Sequence, residues 1–269
     1  MNPLMYGMPT LLELPSMEAN AALCRALGLS FIELNMNLPQ YQADAMDLDA
    51  LHRIAQQHGL YYTLHLEEAL SPCDVNPRIA RAYTETALQA IGIARRLNMP
   101  IINMHLAEGI YFTLPEGRVF LFEQYKGAYL AALRAFRDAC EAAIGGAGIL
   151  ICVENTDGWG RASFLAEGVD LLLESPVFAL TLDIGHNATA GGGDEPWMLS
   201  REGLLRHMHL HDALPSQQRN HLPFGAGALD LPRYLALAQA RGCRAVLETK
   251  TVAALRQSVA WLQKGGWMG

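Results

Sequence analysis

Four apolar runs in the second half of the chain each end in a side chain able to bind a metal. Gly148-Ile149-Leu150-Ile151-Cys152-Val153 runs into Glu154, Phe178-Ala179-Leu180-Thr181-Leu182 into Asp183, Leu205-Arg206-His207-Met208 into His209, and Cys243-Arg244-Ala245-Val246-Leu247 into Glu248. A carboxylate or imidazole at the end of a buried strand is costly to desolvate unless something compensates it. Four such ends suggest four parallel strands that deliver their last residues to one point, and few architectures can do that.

The rest of the chain supplies the matching pieces. Short β-rich runs alternate with longer segments of three- and four-residue apolar spacing, such as Leu48, Leu51, Ile54, Ala55 and Leu130, Leu133, Phe136. Strands are expected at Met5–Met8, Ser30–Leu34, Tyr61–His65, Ile101–His105, Ile149–Glu154, Ala179–Asp183, His207–His211 and Ala245–Glu248. Ser16, Asn76 before Pro77, and Asp230 before Leu231-Pro232 read as helix N-caps. Gly28, Gly59 and Gly242 stand where helices should end. Eight β-then-α units predict an α/β protein, a (β/α)8 TIM barrel forming one domain over residues 1–269. An open doubly wound sheet competes, but no GxGxxG follows the first strand and the charged strand ends are too many for one switch point. The irregular stretches Glu108–Arg118, Ala188–Pro196 and Ala213–Ala228 all follow strands, where they would build up the barrel's C-terminal face.

Strand alternation decides which side chains can meet. Leu150 and Cys152 share the face of Glu154, Thr181 that of Asp183, His207 and His211 that of His209, and Val246 that of Glu248. Three carboxylates and an imidazole at one end of the barrel form an oxygen-rich site for a divalent cation; Mn²⁺ and Mg²⁺ suit it best, and Zn²⁺ or Co²⁺ would also bind. Glu33, His65 and His105 also lie at or near strand ends. A second metal held by His65, His105 and a bridging Glu154 is geometrically open, and its extra imidazole would favour zinc. His207, deeper in its strand, reads as a hydrogen-bonded core histidine. Trp159 and Trp197 either stack on a sugar face or only line the mouth.

Composition narrows the function classes. Twenty-seven acidic against 20 basic residues give a formal charge of −7, with no Lys/Arg-rich run, which argues against a nucleic-acid surface. Five cysteines form no CxxC pair and read as reduced thiols. No signal-type segment opens the chain, and no apolar run reaches the roughly 18 residues a membrane crossing needs. The expectation is a soluble cytoplasmic protein without a membrane partner.

Glu154-Asn155-Thr156, Leu182-Asp183-Ile184-Gly185-His186, His209-Leu210-His211-Asp212 and Leu247-Glu248 together resemble the motifs of the xylose isomerase-like barrel superfamily, in order and spacing over nearly the whole chain. That superfamily includes sugar and sugar-phosphate isomerases and epimerases, and the endonuclease IV-type abasic-site nucleases. In its ketose epimerase branch, glutamate, aspartate, histidine and glutamate on strands five to eight hold one metal, and the two glutamates exchange a proton with the sugar through an enediolate. The resemblance therefore implies metal ligation by Glu154, Asp183, His209 and Glu248, acid–base roles for Glu154 and Glu248, and substrate contact by His186. It implies a small-molecule carbohydrate as partner and, as in many relatives, a homo-oligomer.

Departures from that branch leave the substrate open between sugar, sugar acid and sugar phosphate, and the reaction between isomerisation and epimerisation. Pro215 stands where an arginine is frequent, so Arg219, with His221, Glu33 and Trp159, is the candidate for further substrate contact. The loop Asp157-Gly158-Trp159-Gly160-Arg161 lacks a glutamate that some epimerases carry. The nuclease branch is the alternative, since its first-metal histidines resemble His65 and His105. Its third zinc needs an Asp-x-His pair, however, and here the stretch is Arg219-Asn220-His221. A barrel that binds sugar or metal without turnover is the non-enzymatic alternative.

Overall fold

A computed structural model describes residues 4–156, 159 and 162–268. β1 (Met5–Pro9), β2 (Phe31–Asn35), β3 (Tyr61–His65), β4 (Ile101–His105), β5 (Leu150–Glu154), β6 (Phe178–Asp183), β7 (Leu205–Leu210) and β8 (Arg244–Leu247) lie side by side in sequence order. All pairs are parallel, and β8 pairs back with β1 to close the ring. The result is the expected TIM barrel, a single closed unit with helices between its strands. No helix among the described residues is long and apolar enough to cross a membrane.

The helices that cover the ring begin where the local chemistry dictates. Ser16 accepts from the Ala19 N–H, Asn76 from Arg78 and Asp230 from Arg233, and each opens a helix. Asp47 and Thr251 cap two more in the same way. Such caps contribute roughly 1 kcal/mol each. Gly59 and Gly242 turn the chain out of its helix in the left-handed conformation, as a C-terminal glycine should.

Alternation along the strands separates two cores. Ile151 and Val153 point outward into the large apolar cluster under the helices. Cys152 points inward and packs with Ile101 and Ala179 in a small cluster inside the ring. Above that apolar floor the interior turns polar, with Thr63, Asn103, Thr181 and His207 all buried. At the C-terminal ends of the strands it becomes ionisable. The cysteines are all buried thiols.

The expected strands match the observed ones to within two residues at each end, Glu248 falling just past β8. The stretches expected to be irregular are not. Glu108–Arg118 contains most of an antiparallel hairpin, Tyr111–Leu114 with Gly117–Phe120. Ala213–Ala228 contains most of a second, Asp212–Leu214 with Arg219–Leu222, and helical turns Ile184–Thr189 and Glu195–Leu199 enter Ala188–Pro196. The first hairpin had a readable signal in its aromatic and β-branched run followed by Pro115-Glu116-Gly117. The second has a three-residue arm, too short to announce itself.

One glycine is needed to close the narrow end. Gly7 on β1 pairs in register with Phe31, whose ring stacks on Tyr61 at 5.2 Å between centroids. A Cβ on residue 7 would fall 2.4 Å from that ring. Gly7→Ala should therefore destabilise the protein by about 1–3 kcal/mol, the usual range for overfilling a packed interior. Urea unfolding measures this; an unchanged midpoint would show that Phe31 has room to turn aside.

Candidate metal centre

The four strand-end groups meet. His209 Nδ1 lies 3.1 Å from Glu154 Oε1, 3.4 Å from Glu248 Oε2 and 3.9 Å from Asp183 Oδ2. The Glu154, Asp183 and His209 side chains are almost wholly buried, and that of Glu248 is 15 % exposed. Three carboxylates crowded on one imidazole nitrogen repel one another strongly at low dielectric. A divalent cation would relieve that repulsion, and this donor set suits an oxygen-preferring ion. The residues fit such a group.

Each ligand is held from behind. The Asn155 side chain carries β5's hydrogen bonding one step further, donating Nδ2–H to the Asp183 carbonyl (3.0 Å) and accepting the Asp183 N–H at Oδ1 (2.7 Å). Asn103 donates to Glu154 Oε2, its amide fixed in that sense because its carbonyl accepts from Thr181 Oγ1 (2.6 Å). Beneath the quartet, Glu33 Oε1 lies 2.8 Å from His209 Nε2, an ion contact rather than an aligned hydrogen bond. Its other oxygen meets His207 Nε2 and the Thr63 hydroxyl, both at 2.9 Å. The negative charge below favours a proton on Nε2 and leaves Nδ1 to face the carboxylates.

Asp183 has a further partner in His211. The His221 backbone N–H donates to His211 Nδ1 (2.8 Å), so that nitrogen carries no proton. Nε2–H is then the donor to Asp183, 3.1 Å from Oδ1. The His211 ring can reach Asp183 only because residue 185 is glycine: a Cβ there would sit 1.9 Å from the His211 ring. Asp183 Oδ1 also accepts the His186 N–H at 2.7 Å, capping the short helix that follows β6.

The charges are mutually adjusted. Burial alone would raise the Glu154 carboxyl, but His209 and His105 reverse this and hold it well below the usual carboxylate range. Glu248 is held down likewise against burial, by His209, Lys250 and His221. Burial would depress His209, yet Glu154, Glu33 and Glu248 together raise it well above its ordinary value. His207 goes down through burial, only partly offset by Glu33, which fits a neutral core histidine.

His65 and His105 form a second group on the far oxygen of Glu154, with Nε2 atoms 3.4 and 3.2 Å from Oε2. His65 Nδ1 lies 2.7 Å from the Leu66 carbonyl, so it is the donor there and Nε2 is the end presented to Glu154. With Glu154 these rings are a candidate second cation site. A third cluster, His186, His211 and His221, is less suited to a cation, because both His211 nitrogens are already engaged. His186 lines the cavity beside Glu154, and His221 Nδ1 approaches the Glu248 carbonyl at 3.1 Å.

Other sequence candidates are placed elsewhere. Glu33 lies beneath the quartet as its counter-charge, although it also lines a small cavity there. Arg219 is exposed on the second hairpin, outside the lining of either cavity beside the quartet. Trp159 is 2 % exposed and packs edge-on against Trp197 at 5.2 Å, a packing role. Its neighbours Asp157, Gly158, Gly160 and Arg161 lie outside the described residues, and with them the comparison made for that loop. Sequence reasoning passed over Lys250, whose Nζ donates to Glu248 Oε1 at 2.8 Å. Its position two residues past Glu248, with the same parity, was the available signal. It also passed over Arg118, which the first hairpin carries to the cavity beside Glu154.

A closed parallel barrel with an acid–imidazole quartet at the C-terminal ends of adjacent strands has its candidate site on the face where TIM-barrel enzymes carry theirs. The pattern of the xylose isomerase-like TIM barrel family matches residues 21–265, and the chain belongs to that family. No curated protein matches the sequence. Among solved structures, a D-tagatose 3-epimerase-like protein is similar at 19 % identity and a TM-score of 0.77, over 97 % of this chain and 96 % of its own. The 3-keto-D-glucoside 4-epimerase of E. coli is similar at 14 % identity and 0.73, over 97 % and 99 %. A D-psicose 3-epimerase from Clostridium cellulolyticum H10 is similar at 13 % identity and 0.71, over 98 % and 99 %. At these identities the likeness concerns the fold.

Mn²⁺ added to chelator-treated protein should raise its thermal midpoint, with about 2.7 kcal/mol of stabilisation at a hundred times Kd. EDTA should reverse the rise. Gly185→Ala should weaken Mn²⁺ binding by about ten- to a hundredfold, the range for groups that orient a ligand. Titration calorimetry reads the change, and unaltered affinity would remove His211 from the support of Asp183.

Proposed function

We propose that the protein is a divalent-metal-dependent isomerase or epimerase of a small sugar, sugar acid or sugar phosphate, with Glu154 and Glu248 as its acid–base pair. The observation that carries the reading is the position of these two glutamates. β5 and β8 deliver them from the two ends of the quartet, and each turns one oxygen to His209 Nδ1. Each also lines its own cavity, of about 420 Å³ for Glu154 and about 170 Å³ for Glu248. The similarity to solved sugar epimerases agrees with this.

Glu154, Asp183, His209 and Glu248 would hold the cation, which when bound polarises the carbonyl and hydroxyl of a hydroxy-ketone and so acidifies the C–H between them. The chain's own groups then move the proton. Lys250 beside Glu248 favours the carboxylate form and suits that residue to take the proton from carbon. Glu154, in contact with His105 and His65, has rings beside it through which a proton can be supplied for return. Return to the opposite face of the same carbon is epimerisation; return to its neighbour is isomerisation.

A second reading rests on the His65–His105–Glu154 group, which favours a zinc-type second site and so metal-assisted phosphodiester hydrolysis. The acidic balance of the chain and the engaged nitrogens of His211 count against a three-zinc arrangement. Nicking of an abasic duplex in zinc would favour this reading; the isomerase reading expects none.

The direct test incubates metal-loaded protein with a ketose panel in D₂O. Deuterium should enter at the carbon next to the carbonyl of at least one sugar. Glu248→Gln should lower that exchange by about a hundred- to ten-thousandfold, the usual contribution of a positioned base, with an unchanged circular dichroism spectrum. If no sugar takes up deuterium, the proposal fails.

A further inference from the structure

We infer that Arg118 is the anion-recognising residue of the larger cavity, so that the sugar handled here carries a carboxylate or phosphate at the end remote from the metal quartet. The inference rests on reading the quartet as the sugar-handling centre. It concerns which members of the sugar class the site selects.

Arg118 reaches the site by way of the first hairpin, where it stands opposite Thr113. There it shares the lining of the 420 Å³ cavity with His105, Glu108, Glu154 and His186. This is the larger of the two cavities beside the quartet, so the longer arm of a chelated sugar belongs in it. The guanidinium carbon sits 4.4 Å from the centre of the Tyr111 ring, on the other arm of the same hairpin. Stacking on that face holds the guanidinium plane and leaves its N–H edges to an outside partner.

Of the Lys and Arg side chains that line the cavities beside the quartet, Lys250 and Arg118, only the first has a carboxylate partner among the described residues. Lys250, in the smaller cavity, is paired with Glu248 at 2.8 Å. Arg137, Arg201, Arg233 and Arg241 each have a carboxylate partner on the outer surface. Arg118 makes no ion pair among the described residues; it is exposed, and its guanidinium lies over the Tyr111 ring. A fork of donors without an internal counter-ion, opening on a cavity, is best met by a planar or tetrahedral oxyanion that takes two parallel hydrogen bonds. Glu108 shares the lining without pairing with Arg118, and is left as an acceptor for sugar hydroxyls. Arg219, the sequence candidate for this task, lies on the other hairpin outside the lining of both cavities, whereas the equally exposed Arg118 lines the larger one.

A matched set of three sugars tests this: D-fructose, D-fructose 6-phosphate and D-fructuronate, which differ at C6 in bearing a hydroxymethyl, a phosphate ester or a carboxylate. Binding to the Mn²⁺-loaded full chain is measured by titration calorimetry, and deuterium uptake from D₂O is followed separately. At least one acidic sugar should bind more tightly than fructose, and which one identifies the anion. Arg118→Ala should weaken that sugar by about tenfold or more, as expected for hydrogen bonds to a charged group, while changing fructose by less than twofold. Arg118→Lys keeps the charge but loses the fork, and should fall between. Equal affinity for the three sugars, a uniform loss in Arg118→Ala, or no binding by any of them would overturn the inference. Arg118-dependent binding of an acidic sugar without deuterium uptake would uphold the anion subsite while removing the isomerase reading. Deuterium uptake into fructose that is indifferent to Arg118 and equal to that of its acidic counterparts would do the reverse.

Discussion

Three carboxylates cannot share one buried point at the end of a barrel without compensation, and much of the interior is organised around that constraint. The first compensation is the imidazole of His209, within 4 Å of all three. The second comes from below, where Glu33 sets the His209 ring against the quartet and is itself satisfied by His207 and Thr63. The third is lateral: Asn103 fixes Glu154, Asn155 fixes the backbone of Asp183, and His211 fixes its carboxylate. A cation entering this site would find its ligands already aimed, with the repulsion among them as the driving force for its capture. That is the structural meaning of a polar layer inside a ring whose floor is apolar.

The sequence motifs that mark the site divide, on this view, into residues that do chemistry and residues that hold it in place. In Asp183-Ile184-Gly185-His186, the aspartate is the candidate ligand and the glycine makes room for the His211 ring. The backbone of His186 caps the aspartate, so one residue serves both the short helix and the carboxylate. In His209-Leu210-His211-Asp212, the first histidine belongs to the quartet and His211 braces Asp183 from beside it. Asp212 is a loop clamp whose two oxygens accept the N–H groups of Ala213, Gly225, Gly227 and Leu229. A Cβ at Gly227 would strike the Asp212 carboxylate at 2.3 Å. The clamp holds the connection that carries His221 back over Glu248. Geometry, more than reactivity, accounts for most of these letters.

The barrel and the quartet were legible in the sequence because a period of two and a terminal charge are local signals. Cys152 and Val153 could be assigned to opposite faces from parity alone, and they pack in separate clusters. What lies between the strands was less legible, since loops take their shape from what they pack against. Trp159 reads in the sequence either as a sugar-stacking face or as a residue that only lines the mouth, and in the fold it packs edge-on against Trp197. Arg219 looked well placed by its distance along the chain from His209, but the left-handed turn at Gln218 carries it to the surface. Arg118 was hidden in a stretch taken as irregular, and only the pairing of Tyr111–Leu114 with Gly117–Phe120 brings it to the cavity.

The two glutamates are not interchangeable, and the difference lies in their far oxygens. Glu248 Oε1 meets the ammonium of Lys250 at the half-exposed rim, a positive charge that stabilises the carboxylate. Glu154 Oε2 meets two imidazoles and an amide. His105 is partly open to the larger cavity, so protons can pass between solvent and Glu154 without crossing the quartet. On the proposed reading, a proton taken at the Glu248 end and one returned at the Glu154 end would have separate routes, and the cycle would be directional rather than symmetric, because one carboxylate faces a lysine and the other two imidazoles.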